Sequence, residues 1–161
     1  MIHVLILYAS STGNTEEIAS LLEQHLDPKI YAVSLENIEM GDTEPQHLLQ
    51  YDGILFGTYT YDDGDLPFET DLFCDTLRTV DLTGKVVGVF GSGDTAYDGF
   101  CAAVDLMKVE FKNQNAQVIQ HSVKVDLSPD EEEDLQSIGK LAAEFQQTII
   151  NSSSTHEAGQ F

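Results

Sequence analysis

The sequence predicts an α/β domain built on a doubly wound, five-stranded parallel sheet with helices on both faces. Three observations carry this. The apolar runs at residues 2–8, 53–58 and 85–90 lack polar alternation, as strands covered on both faces do. Segments of helical periodicity separate the runs. Loops of unusual composition follow them at 9–15, 59–67 and 91–100, where an open sheet of this class binds ligands.

Residues 2–8 (IHVLILY) read as the first strand and residues 16–26, with Ile18, Leu21 and Leu22 at helical spacing, as the first helix. A second strand is expected at 30–35 and a short helix at 44–50. The third strand is 53–58, nearly all apolar. Residues 68–77 are helical in character, 85–90 form the fourth strand, 99–113 a helix and 118–125 the fifth strand. The last helix has the clearest start: Ser128 as N-cap, Pro129 at the first helical position and an acid for a capping box. Leu135, Ile138, Leu141, Ala142, Phe145 and Ile149 then recur on one face. Residues 1–150 are expected to form one domain, and the polar stretch 151–161 a frayed, flexible tail.

The chain has 161 residues and 42% hydrophobic content, enough for a sizeable core. Its 28 acidic residues outnumber 7 basic ones, for a formal charge of −21. That balance argues against nucleic acid or an anionic membrane as partner and favours basic-surfaced proteins, although an acidic surface also serves solubility alone. Cys74 and Cys101 have no metal or redox-pair spacing, so reduced thiols in a cytoplasmic protein are expected. The opening apolar run is too short and wrongly flanked for a signal peptide or a transmembrane helix. The sequon at Asn151 is read as chance. A monomer is expected.

The first loop, Ser10-Ser11-Thr12-Gly13-Asn14-Thr15, joins a strand to a helix and contains no Lys or Arg. Hydroxyls, backbone N–H groups and a helix N-terminus can hold a phosphate there, and the missing base points to a monoester rather than a triphosphate with its metal. An ordinary capped turn would look similar. The second loop places Tyr59, Thr60, Tyr61, Asp62, Asp63 and Asp65 after a buried strand. An exposed Tyr there can stack on a heteroaromatic ring, or pack on the core instead. The third loop holds Ser92, Gly93, Asp94, Tyr97, Asp98, Phe100 and Cys101. Residues 91–96 formally match a dinucleotide fingerprint, but they follow the fourth strand, and Asp94 would repel a pyrophosphate. A P-loop motif is absent. Hydroxyls for one phosphate, two aromatics for a sandwich and acids at the rim together describe a site for flavin mononucleotide (FMN).

These three motifs, in this order, resemble those of the flavodoxins, specifically the short-chain class, since the fifth strand lacks the inserted loop of the long-chain class. The resemblance implies the strand order 2-1-3-4-5. It implies that Ser10, Ser11, Thr12, Gly13, Asn14 and Thr15 bind the phosphate, with Tyr59 and Thr60 near the ribityl phosphate. Tyr97 would stack on the outer flavin face and Tyr61 would cover the inner one, where many relatives have Trp. Asp94, Ser92 and Gly93 would meet the pyrimidine edge, with Phe100 and Cys101 completing the site. It also implies a peptide flip at Asp62–Asp63 that accepts a hydrogen bond from the reduced flavin. Many relatives have Gly at the first of these positions. If the flipped turn requires φ > 0, Asp62 costs about 1–2 kcal/mol relative to Gly. A less stable semiquinone is then expected. Five loop carboxylates (Asp62, Asp63, Asp65, Asp94, Asp98) would further destabilise an anionic reduced flavin and lower its potential.

The implied function is low-potential one-electron transfer by non-covalently bound FMN. Electrons would pass from a reductase to acceptors such as cytochrome P450s or desaturases, with no catalytic residues and no metal. The five histidines are scattered and form no catalytic constellation. A receiver domain of similar fold would need acids at the end of the first strand, where Tyr8-Ala9-Ser10 stand. A flavin-dependent reductase of one specific protein would share the cofactor site and differ in its partner.

Overall fold

The computed structural model describes residues 1–38 and 43–158, and side chains through residue 152. Six strands and four α-helices follow the alternating order that the sequence predicts. They are β1 (Ile2–Tyr8), α1 (Asn14–Gln24), β2 (Tyr31–Asn37), β3 (Gly53–Tyr59), α2 (Phe68–Leu77), β4 (Val86–Gly93), α3 (Ala102–Asn113), β5 (Gln117–Val118), β6 (Val123–Asp126) and α4 (Glu132–Ala158). The short helix before β3 is a 3₁₀ helix, Pro45–Gln50. All pairings between these strands are parallel and run β2-β1-β3-β4-β5, with β6 also on β4. This is the doubly wound order 2-1-3-4-5.

The apolar runs explain themselves in the packing. Successive residues of a strand point to opposite faces. Val4, Ile6 and Tyr8 pack with Ile18 and Leu22 of α1 and with Leu141 and Phe145 of α4. Leu5 and Leu7 face the other way, into a second cluster with Phe56, Phe73, Met107 and Phe111 from β3, α2 and α3. Phe56 stacks on Phe73 at 5.3 Å between centroids and meets Phe111 edge-on at 5.4 Å. Neither face is left polar, so no alternation survives in the sequence.

The bounds of α1, β2, β3 and the 3₁₀ helix shift by one or two residues from the sequence reading, and four larger differences stand out. The fifth strand is two pieces: Gln117–Val118 pair with Val86 and Val87, and Val123–Asp126 pair with Phe90 to Gly93. Residues 119–122 therefore stand opposite only Gly88 and Val89, two extra residues that break the ladder as a bulge does. Lys108 Nζ donates to the Gln120 carbonyl at 2.7 Å inside the break, and the His121 ring bonds Ser137 on α4. Second, β4 continues through Gly93, so Ser92 belongs to the sheet rather than to a loop. Third, α3 starts at Ala102, not at residue 99, because Cys101 takes the left-handed conformation, with φ of 52°. Fourth, α4 starts at Glu132. The Ser128 hydroxyl is spent on the Asp130 carboxylate at 2.6 Å, and Asp134 reaches back to the Glu131 N–H at 3.3 Å, a half capping box three residues later than expected. The helix continues through Ala158 into the stretch expected to fray; 159–161 lie outside the described residues.

Candidate functional site

The loops leaving the C-terminal ends of β1, β3 and β4 enclose a cavity of about 290 Å³. Thirteen of the sixteen site residues expected from the sequence line it. Ser10, Gly13 and Thr15 belong to the same first loop without lining the cavity.

Loop 1 runs from Ala9, whose N–H donates to the Gly57 carbonyl at 2.9 Å. Ser10 is buried, and its Oγ accepts from the N–H of Gly13 at 3.1 Å and of Glu16 at 3.4 Å. Gly13 takes φ of 92° as the N-cap of α1, a conformation open to glycine at little cost. Thr15 is buried, and its Oγ1 shares a 2.8 Å hydrogen bond with Ser92 Oγ of β4. These bonds leave Ser11, Thr12 and Asn14 as the loop's side chains on the cavity wall. They stand at the N-terminus of α1, where backbone donors and the helix dipole favour an anion.

Loop 2 carries Tyr59, Thr60, Tyr61 and Asp62 into the cavity wall. Tyr61 and Asp65 exchange backbone hydrogen bonds, both 2.8 Å, closing a tight hairpin. Asp62 within it has φ of 52°, the left-handed conformation that the sequence reading makes costly for Asp. The rest of the loop is held by its neighbours. The Thr60 N–H donates to the Ser92 carbonyl at 3.2 Å, and Thr60 Oγ1 accepts from the Ala103 N–H at 3.2 Å. That second bond caps α3, whose own N-cap Cys101 supplies no side-chain bond. Asp63 Oδ1 accepts from the Gly99 N–H at 3.2 Å.

The end of β4 contributes Ser92 and Gly93 to the wall, and loop 3 contributes Asp94, Tyr97, Phe100 and Cys101. Asp94 Oδ1 accepts from the Ala96 N–H at 2.9 Å, turning the chain so that Tyr97 projects. Tyr61 is 61% exposed and Tyr97 49%. These rings do not pack on the core, which removes the alternative left open by the sequence. Cys101 is buried at the cavity floor. Burial pushes its thiol pKa up to about 12, and the nearby Lys124 charge only partly opposes this. Two further residues line the cavity, Gly99 and Leu127. Gly99 lies inside a loop already singled out. A Cβ there would meet the Asp63 carbonyl oxygen at 2.4 Å, so loops 2 and 3 touch through backbone. Leu127 follows the fifth strand, and nothing in its sequence context marks it.

The cavity thus has a neutral hydroxyl and amide end at loop 1 and an aromatic, acid-rimmed end between loops 2 and 3. A phosphate monoester fits the first and a flat heteroaromatic ring the second, which is the donor set FMN requires. Among the described residues no group of three or more His, Cys, Asp or Glu side chains is arranged to hold a metal ion, and no helix is long and apolar enough to cross a membrane.

Comparison with known proteins agrees with this geometry. The flavodoxin family model matches residues 6–138. Probable flavodoxin 1 of Bacillus subtilis (strain 168) is 39% identical over 145 residues, 90% of each chain. The crystal structure of oxidised flavodoxin 2 from Bacillus cereus is 43% identical, with a TM-score of 0.84 over 90% of this chain and 98% of the other. A short-chain flavodoxin associated with a bacterial microcompartment is 36% identical, with a TM-score of 0.85 over 92% of this chain and 99% of the other. With the sheet order, the three loops and these relatives in agreement, the chain belongs to the flavodoxin family, the FMN-binding electron carriers, and to its short-chain class.

Proposed function

We propose that this protein is a low-potential one-electron carrier that takes electrons from a reductase and delivers them to acceptor redox enzymes of the P450 or desaturase type. The observation that carries the reading is the pair of half-exposed tyrosines, Tyr61 and Tyr97, on a cavity whose other end is a hydroxyl loop at a helix N-terminus. Bound FMN supplies the redox chemistry, accepting and releasing electrons one at a time.

The chain binds, orients and tunes. Ser10, Ser11, Thr12, Gly13, Asn14 and Thr15 would bind the phosphate, with Ser11, Thr12 and Asn14 on the cavity wall. Tyr59 and Thr60 would lie near the ribityl phosphate. Tyr61 would cover the inner ring face and Tyr97 the outer one. Ser92, Gly93 and Asp94 face the pyrimidine edge, and Phe100 and Cys101 close the floor. Asp62 and Asp94 line the cavity, and Asp63, Asp65 and Asp98 stand in the same two loops, so their negative charge would oppose addition of an electron to the ring. The same carboxylates would steer basic partner surfaces toward the exposed ring edge in small, transient contacts. No substrate of its own is required, and a cytoplasmic location suits a carrier with two reduced thiols.

The test is an anaerobic, stepwise reduction of the FMN-reconstituted protein followed by absorption. Two resolved one-electron steps are expected, the second at a potential below that of free FMN. A second potential equal to that of free FMN would remove the electrostatic account. Failure to bind FMN at all would remove the reading. With a reductase partner, transfer rates are expected to fall as salt rises.

A further inference from the structure

Leu127 is the residue of the cavity wall that the fold alone does not explain. It has φ of 61°, a left-handed conformation that a bulky L residue adopts only under constraint. It is 53% exposed and belongs to neither hydrophobic core cluster. It does line the cofactor cavity. A leucine that joins no core gains little for the folded chain from being held this way, so the benefit is to be sought in what fills the cavity.

The constraint is visible. The Leu127 N–H donates to the Gly93 carbonyl at 2.8 Å. Its neighbour Asp126 grips loop 3 twice, with Oδ1 accepting from the Thr95 N–H at 3.2 Å and Oδ2 from Thr95 Oγ1 at 2.9 Å. The chain after β6 is therefore fastened to the loop that projects Tyr97, two residues beyond Thr95. It is also remote from the phosphate end. β6 stands three places from β1 in the sheet, across β3 and β4, about 14 Å at the usual strand spacing.

We infer that the β6–α4 turn is a fourth loop of the cofactor site, in which Leu127 is an apolar contact for the flavin ring and Asp126 positions it. The inference rests on the FMN reading and adds a residue to it. A flat ring seated beside Tyr97 covers the exposed leucine, removing apolar surface of both partners from water. The contact is with the ring, not with the phosphate, so it acts equally on FMN and on riboflavin.

The experiment titrates the full-length apoprotein with FMN and separately with riboflavin, following flavin fluorescence. It compares wild type with Leu127→Ala and Leu127→Gly and records the thermal midpoint of each apoprotein. Leu127→Ala keeps the backbone strain and removes the contact. Its Kd is expected to rise about five- to twentyfold, by the same factor for both flavins, with an unchanged apoprotein midpoint. Leu127→Gly relieves the strain as well, so its Kd rises similarly while its apoprotein midpoint holds or increases. Kd values within twofold of wild type would overturn the inference, as would a loss seen with FMN but not with riboflavin. An apoprotein destabilised in step with the lost affinity would assign Leu127 a purely structural part and overturn it too. Wild-type protein that binds neither flavin would fail the cofactor reading itself, and this inference with it.

Discussion

Loops 1 and 2 leave adjacent strands, β1 and β3, at the same end of the sheet, yet they are held differently. Loop 1 is organised by one side chain, Ser10 Oγ, which collects the N–H groups of Gly13 and Glu16, while Ala9 and Thr15 tie it to β3 and β4, and its one left-handed residue is a glycine. Loop 2 closes on itself through backbone alone, between Tyr61 and Asp65, and is held in place by Ser92, Gly99 and Ala103, and its left-handed Asp62 is a residue that resists that conformation. The first arrangement suits a task that never varies, receiving a phosphate. The second suits a segment whose conformation is poised, because strain there can be relieved or increased by the charge state of whatever lies beside it.

The comparison breaks most readily at Gly99. A methyl group at that position meets the backbone of Asp63 and Gly64 at 2.4 and 2.6 Å, so loop 2 must move away from loop 3. Gly99→Ala is expected to lower stability by about 1–3 kcal/mol and to weaken FMN binding at least tenfold. Denaturant unfolding and flavin titration measure both. Unchanged binding would mean that loop 2 stands without outside support. Ser10→Ala tests the opposite case. It removes the acceptor for the Gly13 and Glu16 amides and is expected to cost about 1 kcal/mol of apoprotein stability. FMN should then bind several-fold more weakly while riboflavin is unaffected. An equal loss for both ligands would place the damage elsewhere than the phosphate end.

Asp62→Gly sharpens the comparison by removing the strain. The apoprotein is expected to gain about 1 kcal/mol, and the first one-electron potential to rise, by no more than about 60 mV for a 1.4 kcal/mol effect. A gain in stability with no change in potential would show that the strain is common to both oxidation states. A change of pH acts on the thiols. Burial raises Cys74 and Cys101 from an ordinary value near 9 to about 12. A folded-state pKa raised in this way leaves stability intact below pH 9 and erodes it as pH climbs from 9 toward 12, where the unfolded thiols ionise first. Unfolding curves at pH 8 and 10.5 measure this. At pH 8 a thiol reagent should label Cys101, beneath the loops, before Cys74 in the core. The reverse order would mean that the loops open less often than the α2 helix.

Much of this was legible because it is local. β1 and α2 have the expected bounds, since a run of apolar residues and a helical stripe carry their own signals. The three loops were legible because hydroxyls, glycines and exposed aromatics are out of place in a core. What escaped is set by partners far along the chain. Ser92 reads as loop until Tyr59 is seen beside it in the sheet. The start of α3 depends on Thr60, 43 residues from the amide it caps. Ser128 looks like a cap until Asp130 takes its hydroxyl. Leu127 is an ordinary leucine after an ordinary strand, and only its backbone angle and position on the cavity wall distinguish it.

The interruption between β5 and β6 bears on how copies of the molecule meet. An edge strand with unpaired backbone groups is a template on which another chain can grow a sheet. Here that edge offers pieces of only two and four residues, and the chain between them leaves the ladder. A neighbour would find no run of backbone long enough to zip against, and it would arrive bearing the same 21 negative charges. The break that spoils the regularity of the fifth strand is therefore expected to make this edge a poor seed for fibres.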